Sequence, residues 1–273
     1  MSKKLKERDT LGNRMKRYEA MHSSPRLLDY VPAVARMDGK SFHTFTRGMD
    51  RPFDSTFSSL MAETMTYLVK ETGASAGYTQ SDEISLVWEQ SKPESQLIFD
   101  GRVSKMVSIL ASMTMAYFNR LLWGSWPSKA LKVPVFDARV FSVPSRAEAV
   151  RYLAWREADA TRNSITMAAH SVYSHRDLHR KSSAEKQEML FRNGINWNDY
   201  PTAFKRGTYC IRRRVTRKYL AEEIEMLPAM HEARKNPDLV IERTDTWVPD
   251  LLPIRRLANA VQVVFEGADP IPK

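Results

Sequence analysis

Between Pro32 and Phe141 the apolar residues switch between strand-like and helical spacing in a fixed order. Pro32 to Asp38 (PAVARMD) reads as a short apolar strand that meets a turn at Gly39. From Asp54, a residue type that caps helix N-termini, apolar residues recur at Phe57, Leu60, Met61, Met65, Leu68 and Val69 until Gly73, which predicts a core-facing helix. Two short strands are expected over 76–79 and 84–89, and Gln80-Ser81-Asp82-Glu83 between them suits a hairpin tip. A second helix is expected over 101–123, with Val103, Met106, Val107, Leu110, Met113, Tyr117 and Leu121 on one side, and a last strand over 135–141. The sum is β-α-β-β-α-β, the split order of an α+β, ferredoxin-like antiparallel sheet with both helices on one face. In that topology the first and third strands are central neighbours, so Asp38 and the hairpin acids Asp82 and Glu83 converge at one sheet edge.

The remaining sequence sets the surroundings of this core. Residues 3–20 read as a polar, basic helix. Beyond Ser145 helices are expected over 146–172 and 185–192, then a basic strand over 207–216 containing Arg212, Arg213 and Arg214; in the proline-rich tail only 260–265 looks strand-like. The chain of 273 residues carries 42 Lys+Arg against 32 Asp+Glu, a surplus of ten positive charges that favours a polyanionic partner or simply solubility. One cysteine, Cys210, can form neither an internal disulfide nor a multi-thiolate zinc site, so a reducing, cytoplasmic setting is the expectation. No apolar h-region follows the N-terminal charges, and the longest charge-free helical stretch, Met106 to Asn119, is too short to span a membrane, so no membrane association is expected.

Asp38 and Asp82 could hold divalent cations, because Mg²⁺ takes oxygen ligands and typically one or two carboxylates plus substrate phosphates. Asp38-Gly39 and Ser81-Asp82 are equally at home as ordinary turn residues. After Asp38-Gly39, the run Lys40-Ser41-Phe42-His43 could hold a nucleotide, with backbone amides facing phosphate and Phe42 stacked on a base. Arg102 and Lys105 stand near the start of a helix, where positive charge opposes the macrodipole unless an anion lies nearby. His175 and His179 are spaced i,i+4 but lack the glutamate of a zinc-protease motif, and Asp137 with Arg139 reads as a structural ion pair.

Four ordered stretches, Arg36 to Phe45, Tyr78 to Val87, Pro134 to Val140 and Phe191 to Asn198, together resemble the tRNA-His guanylyltransferase superfamily. The resemblance implies a palm-like catalytic core at 1–145 with a helical, basic, RNA-binding appendage at 146–273. It implies a nucleotidyltransferase that adds nucleotides to a tRNA 5′ end in the 3′-to-5′ direction, using two Mg²⁺ ions with ATP and GTP as substrates, and assembling as a homotetramer. It places Asp38, Asp82 and the adjacent Glu83 as the catalytic acids, and Asp38, Asp82 and the Gly39 carbonyl as metal ligands. The nucleotide pocket becomes Asp38 to His43 with Ser81 and Asp82. Triphosphate or RNA contacts fall to Arg51, Arg102, Lys105 and Asn163, and the basic run Arg212 to Arg214 adds RNA contacts. Thr161-Arg162-Asn163-Ser164 stands where eukaryotic-type enzymes carry His-Ile-Asn-Asn, so the chain is more similar to the guanylyltransferase-like proteins that repair truncated tRNA 5′ ends against a template. Two rivals share parts of this pattern: a palm-fold nucleotide cyclase acting on free nucleotides, and a non-catalytic RNA-binding protein on a ferredoxin-like sheet. The second needs aromatic residues on an open sheet face.

Overall fold

A computed structural model describes residues 11–23, 25–90, 97–236 and 238–273. The elements in order are α1 (Leu11–Ser23), β1 (Ala33–Gly39), α2 (Phe42–Phe45), α3 (Ser55–Thr72), β2 (Ala76–Gln80), β3 (Glu83–Trp88), α4 (Val103–Ser125), α5 (Pro127–Ala130) and β4 (Phe136–Ser142). They continue with α6 (Arg146–His170), α7 (His175–Leu178), α8 (Ser183–Arg192), α9 (Thr202–Arg206), β5 (Thr208–Lys218), α10 (Ala221–Met226), α11 (Glu232–Lys235), β6 (Val240–Trp247) and α12 (Ala260–Glu266). Residues 3–10 of the expected N-terminal helix lie outside the described residues.

The β-α-β-β-α-β order is present, and the strands form one antiparallel sheet in the order β4-β1-β3-β2-β5-β6. Local chemistry explains the boundaries. The Asp54 carboxylate accepts the Phe57 N–H at 2.9 Å to start α3, and Gly73 ends it at φ +67°. On α3 and α4 the residues Met61, Met65, Leu68, Met106, Leu110 and Phe118 are buried against Ala35, Met37, Ile84 and Leu86 of the central strands. Gly77 lets α3 lie close to the sheet, since a Cβ there would stand 2.7 Å from Val69 and 2.8 Å from Met65.

The opposite sheet face is also covered. Val34, Tyr78, Val87, Tyr209 and Ile211 pack against Ala149 and Leu153 of α6 and Val263 and Val264 of α12. Both helices of the core, α3 and α4, lie on one face as expected, and residues after 145 supply a second helical layer on the other face as well as β5 and β6, which continue the sheet. The strand-like stretch at 260–265 is corrected, because it is α12. Burial of Val263 and Val264 on one helical side overrides the strand preference of valine, and Gly267 at φ +69° closes the helix against Arg213. Past Ile211, β5 leaves β2 and pairs with β6 alone out to Lys218, so the two strands project as a ribbon beyond the end of the sheet where β1 begins.

Candidate nucleotide and metal site

Asp38 stands at the end of β1, directly opposite Glu83 on β3 and Asp137 on β4. The hairpin from β2 to β3 turns through Ser81, at φ +49°, and Asp82. Its tip is bonded to β1, because Gly39 N–H donates to the Asp82 carbonyl at 3.1 Å, while Lys40 N–H donates to the Val135 carbonyl at 2.9 Å. The two acids separated by 44 positions in sequence are thus neighbours. Their proximity has an electrostatic signature: the Asp82 carboxyl is pushed above its ordinary range, first by burial and further by the charge of Asp38.

Gly39 has a steric reason to be glycine. A Cβ there would lie 2.3 Å from the Phe42 ring, which tucks beneath the strand end. That ring is only 3% exposed and packs among Phe45, Phe57, Phe118 and Phe136. The expectation that Phe42 stacks on a base is corrected: its side chain is a core residue that fixes the loop. Ser41 adopts the left-handed conformation at φ 57° before the single turn of α2. The N–H groups of Ser41, Phe42 and His43 find no acceptor among the described residues, so they remain free for an anion.

Beside this loop lies a cleft of about 720 Å³. His43, Arg47 and Arg51 line it, together with Ser81 and Asp82 of the hairpin. From α6, Asn163, Thr166, Met167 and His170 line it too, as does Phe204 of α9. His43, Arg51, Ser81, Asp82 and Asn163 are thereby brought together, whereas Asp38 is not among the residues lining the cleft and Lys40 is exposed beside the loop. Sequence reading missed Arg47, Met167 and His170. The helical spacing of 163, 167 and 170 would have flagged the α6 residues, since Asn163 was already a candidate. Asp137 and Arg139 form the expected ion pair, at 3.5 Å.

Other candidates lie elsewhere. Glu83 is buried, and both its carboxylate oxygens accept from Arg156 of α6, at 2.7 and 2.6 Å. Arg102 and Lys105 are not in the cleft, and their reading as its triphosphate grip is corrected. Val103 N–H donates to the Pro25 carbonyl and Leu27 N–H to the Gly101 carbonyl, while Leu28 N–H donates to Ser142 Oγ, opposite Ala33 at the start of β1. From there Asp38 is five strand residues away, about 16 Å. The Phe99 ring and carbonyl supply local partners: Lys105 Nζ lies 5.2 Å from the ring centroid and Arg102 Nε 3.4 Å from the carbonyl oxygen. Arg212 donates to the Gly73 carbonyl, Arg213 lies over Trp247 and 3.7 Å from Asp269, and Arg214 is 3.5 Å from Glu242. These three begin the projecting ribbon.

The donors at Asp38 and Asp82 are hard oxygens, and the Arg36 guanidinium beside Asp38 stands 4.0 Å away and is shared with Glu83, which leaves surplus negative charge that fits Mg²⁺. Among the described residues no group of three or more His, Cys, Asp or Glu side chains could hold a metal unaided. A phosphate ligand would have to complete the coordination. Among the described residues no helix is long and apolar enough to cross a membrane.

Known proteins share both the sequence and the fold of this chain. The family model Thg1: tRNAHis guanylyltransferase matches residues 12–144. The chain is 30% identical to the probable tRNA(His) guanylyltransferase of Drosophila melanogaster over 204 residues, 69% of this chain and 70% of that one. It is 30% identical to the tRNA(His) guanylyltransferase of Schizosaccharomyces pombe over 223 residues, 75% and 81% of the two chains. Two solved structures, a bacterial tRNA(His) guanylyltransferase (Thg1)-like protein in complex with ATP and one in complex with GTP, share the fold. The first has a TM-score of 0.70 and 36% identity, covering 74% of this chain and 87% of that one. The second has a TM-score of 0.69 and 30% identity, covering 90% and 94%. With sequence and fold in agreement, the chain belongs to the tRNAHis guanylyltransferase family.

Proposed function

We propose that this nucleotidyltransferase adds nucleotides to the 5′ end of tRNA in the 3′-to-5′ direction, chosen by pairing with the opposing template base. The observation that carries the reading is the juxtaposition of Asp38 with Asp82, which lines a cleft together with Arg47, Arg51, His43 and Asn163. The reaction needs a 3′-hydroxyl placed in line with an activated 5′-phosphorus, and the chain's part is positioning and electrostatics rather than a side-chain nucleophile. Free amides at Ser41 to His43 and the basic loop bind triphosphate oxygens. ATP activates a 5′-monophosphate and GTP is among the nucleotides added. Asp38 and Asp82, with the Gly39 carbonyl, would hold two Mg²⁺ ions, whose chemistry is to neutralise charge on the attacking and leaving oxygens.

In this reading residues 1–145 form the palm-like catalytic core, and 146–273 the RNA-binding part packed on it. Asn163 faces the RNA end. Arg212, Arg213 and Arg214 meet its backbone further away, and Arg102 and Lys105 are left for an RNA phosphate outside the cleft. The enzyme works in the cytoplasm as a homotetramer. A base-stacking protein on an open sheet is disfavoured because helices cover both faces.

The test is incubation with Mg²⁺, labelled nucleotides and two tRNAs lacking one 5′ nucleotide, differing only in the opposing base. Addition of G opposite C and A opposite U supports the proposal. Addition of G to both overturns templating, and cyclic nucleotide formed without RNA overturns the whole reading.

A further inference from the structure

A row of side chains crosses the end of the sheet on the face covered by α6: Asp137 on β4, Asp38 on β1, Glu83 on β3 and Gln80 on β2. Directly opposed like charges on one sheet face repel, with Cβ atoms about 4.5–5.5 Å apart. Asp137 has Arg139 at 3.5 Å, and Asp82 adds a further carboxylate beside Asp38 and Glu83. Three adjacent acids on a palm-like sheet would all be available to cations, yet they are treated unequally. The side chain of Asp38 is 37% exposed, whereas that of Glu83 is 6% exposed.

Two arginines make this difference. Arg36, next along β1 on the same face, lies between the acids, 4.0 Å from Asp38 and 3.8 Å from Glu83. Arg156, itself buried, meets Glu83 with two parallel bonds of 2.7 and 2.6 Å and reaches Asp159 at 3.2 Å. Such a fork occupies both oxygens of the carboxylate in one plane and is the strongest form of this pair. The indole of Trp155 adds a further contact, with its ring centroid 4.6 Å from the Arg156 guanidinium carbon.

We propose that Arg156 is a positioning residue that withdraws Glu83 from cation binding, so that the cation-holding charge is confined to Asp38 and Asp82. The inference rests on the proposed role of those two aspartates. A residue that only stiffens the fold would loosen the cation site when removed. Arg156 as a charge partner does the reverse, because its loss frees a third carboxylate beside the site.

The experiment titrates Mn²⁺ into the full chain with a non-reacting GTP analogue and follows free Mn²⁺ by electron paramagnetic resonance. Thermal melting checks each variant for folding. Arg156→Gln should tighten Mn²⁺ affinity several-fold, since Glu83 is then left with Arg36 at 3.8 Å as its nearby cation, and Glu83→Gln should weaken it several-fold, since Arg156 is then left with Asp159 at 3.2 Å as its nearby anion. Glu83→Gln with Arg156→Gln should return affinity to the wild-type value. Weakened or unchanged binding in a folded Arg156→Gln, or a double variant that binds as weakly as Glu83→Gln alone, overturns the inference. If Arg156→Gln does not fold, Glu83→Gln and the double variant still decide it. Asp38→Asn and Asp82→Asn report on the underlying reading separately: should both bind Mn²⁺ as wild type does, the site assignment fails, whatever Arg156 does.

Discussion

Burial and the nearby charge of Asp38 both oppose ionisation of Asp82, so this carboxylate is less acidic in the folded chain than in the unfolded one. The folded state then holds its proton to higher pH, and stability of the metal-free protein falls as pH rises from the ordinary value of 3.8 through the raised one. Asp82→Asn removes that cost. The metal-free variant should melt about 1–3 °C higher than wild type at pH 7 and show no such gain at pH 3. The same substitution, like Asp38→Asn, should lower nucleotide addition by at least about a hundredfold, as the loss of a charge-stabilising group does. Calorimetry and a primer-extension gel check the two halves, and an Asp82→Asn variant that is both less stable and active contradicts both. At this scale much was legible: Asp38, Gly39 and Asp82 follow from an acid at a strand end and another at a hairpin tip. Phe42 was not, because its burial depends on a missing Cβ at Gly39 and on partners as distant as Phe136. Nor was the Glu83 to Arg156 pair, whose members lie 73 positions apart on elements that meet only after α6 docks.

Among the elements, α3 shows how a helix start can serve the cleft. One Asp54 oxygen caps Phe57 N–H, and the other accepts the Asp50 N–H at 3.1 Å, closing the turn that carries Arg51. Asp54→Ala should destabilise the fold by about 1 kcal/mol, the usual value of such a cap. It should also raise the apparent KM for GTP several-fold, whereas Asp54→Ser keeps the cap and restores most of the stability. Urea denaturation and steady-state kinetics measure the two effects, and an unchanged KM in Asp54→Ala would break the link between cap and loop. A second clamp has the same logic: Lys129 donates to the carbonyls of Phe45 and Arg47, at 2.7 Å each. The cap, the Gly73 stop and the hairpin were readable because their chemistry is local. The position of Arg102 and Lys105 follows instead from direction. Since β3 runs away from the hairpin tip, a helix that follows it starts at the opposite sheet end, so strand order plus direction already contained the correction. The α12 segment was unreadable locally because valines suit either structure until burial selects one.

Across the whole molecule, the surplus of ten positive charges predicts RNA binding that weakens steeply with salt. Net charge does not say which cations are free to meet phosphate. Arg212 spends its guanidinium on the Gly73 carbonyl at the end of α3, where it closes the junction between helix and ribbon. Arg214, with its side chain 80% exposed, is held among the described residues by a surface contact of 3.5 Å to Glu242, a class of pair worth about 0–1 kcal/mol. Exchanging that partner for an RNA phosphate is therefore cheap, whereas releasing Arg212 leaves a helix-end carbonyl without its donor. Plots of log affinity against log salt for truncated tRNA should be linear. Arg214→Gln should reduce the magnitude of their slope by about 0.7–0.9, one phosphate contact, and Arg212→Gln should leave the slope near the wild-type value while lowering thermal stability. Neither change should alter which nucleotide is added, because phosphate contacts hold the RNA without reading its bases. Equal slopes for Arg214→Gln and wild type would show that the ribbon does not meet the RNA backbone at this position and that the charge surplus acts elsewhere.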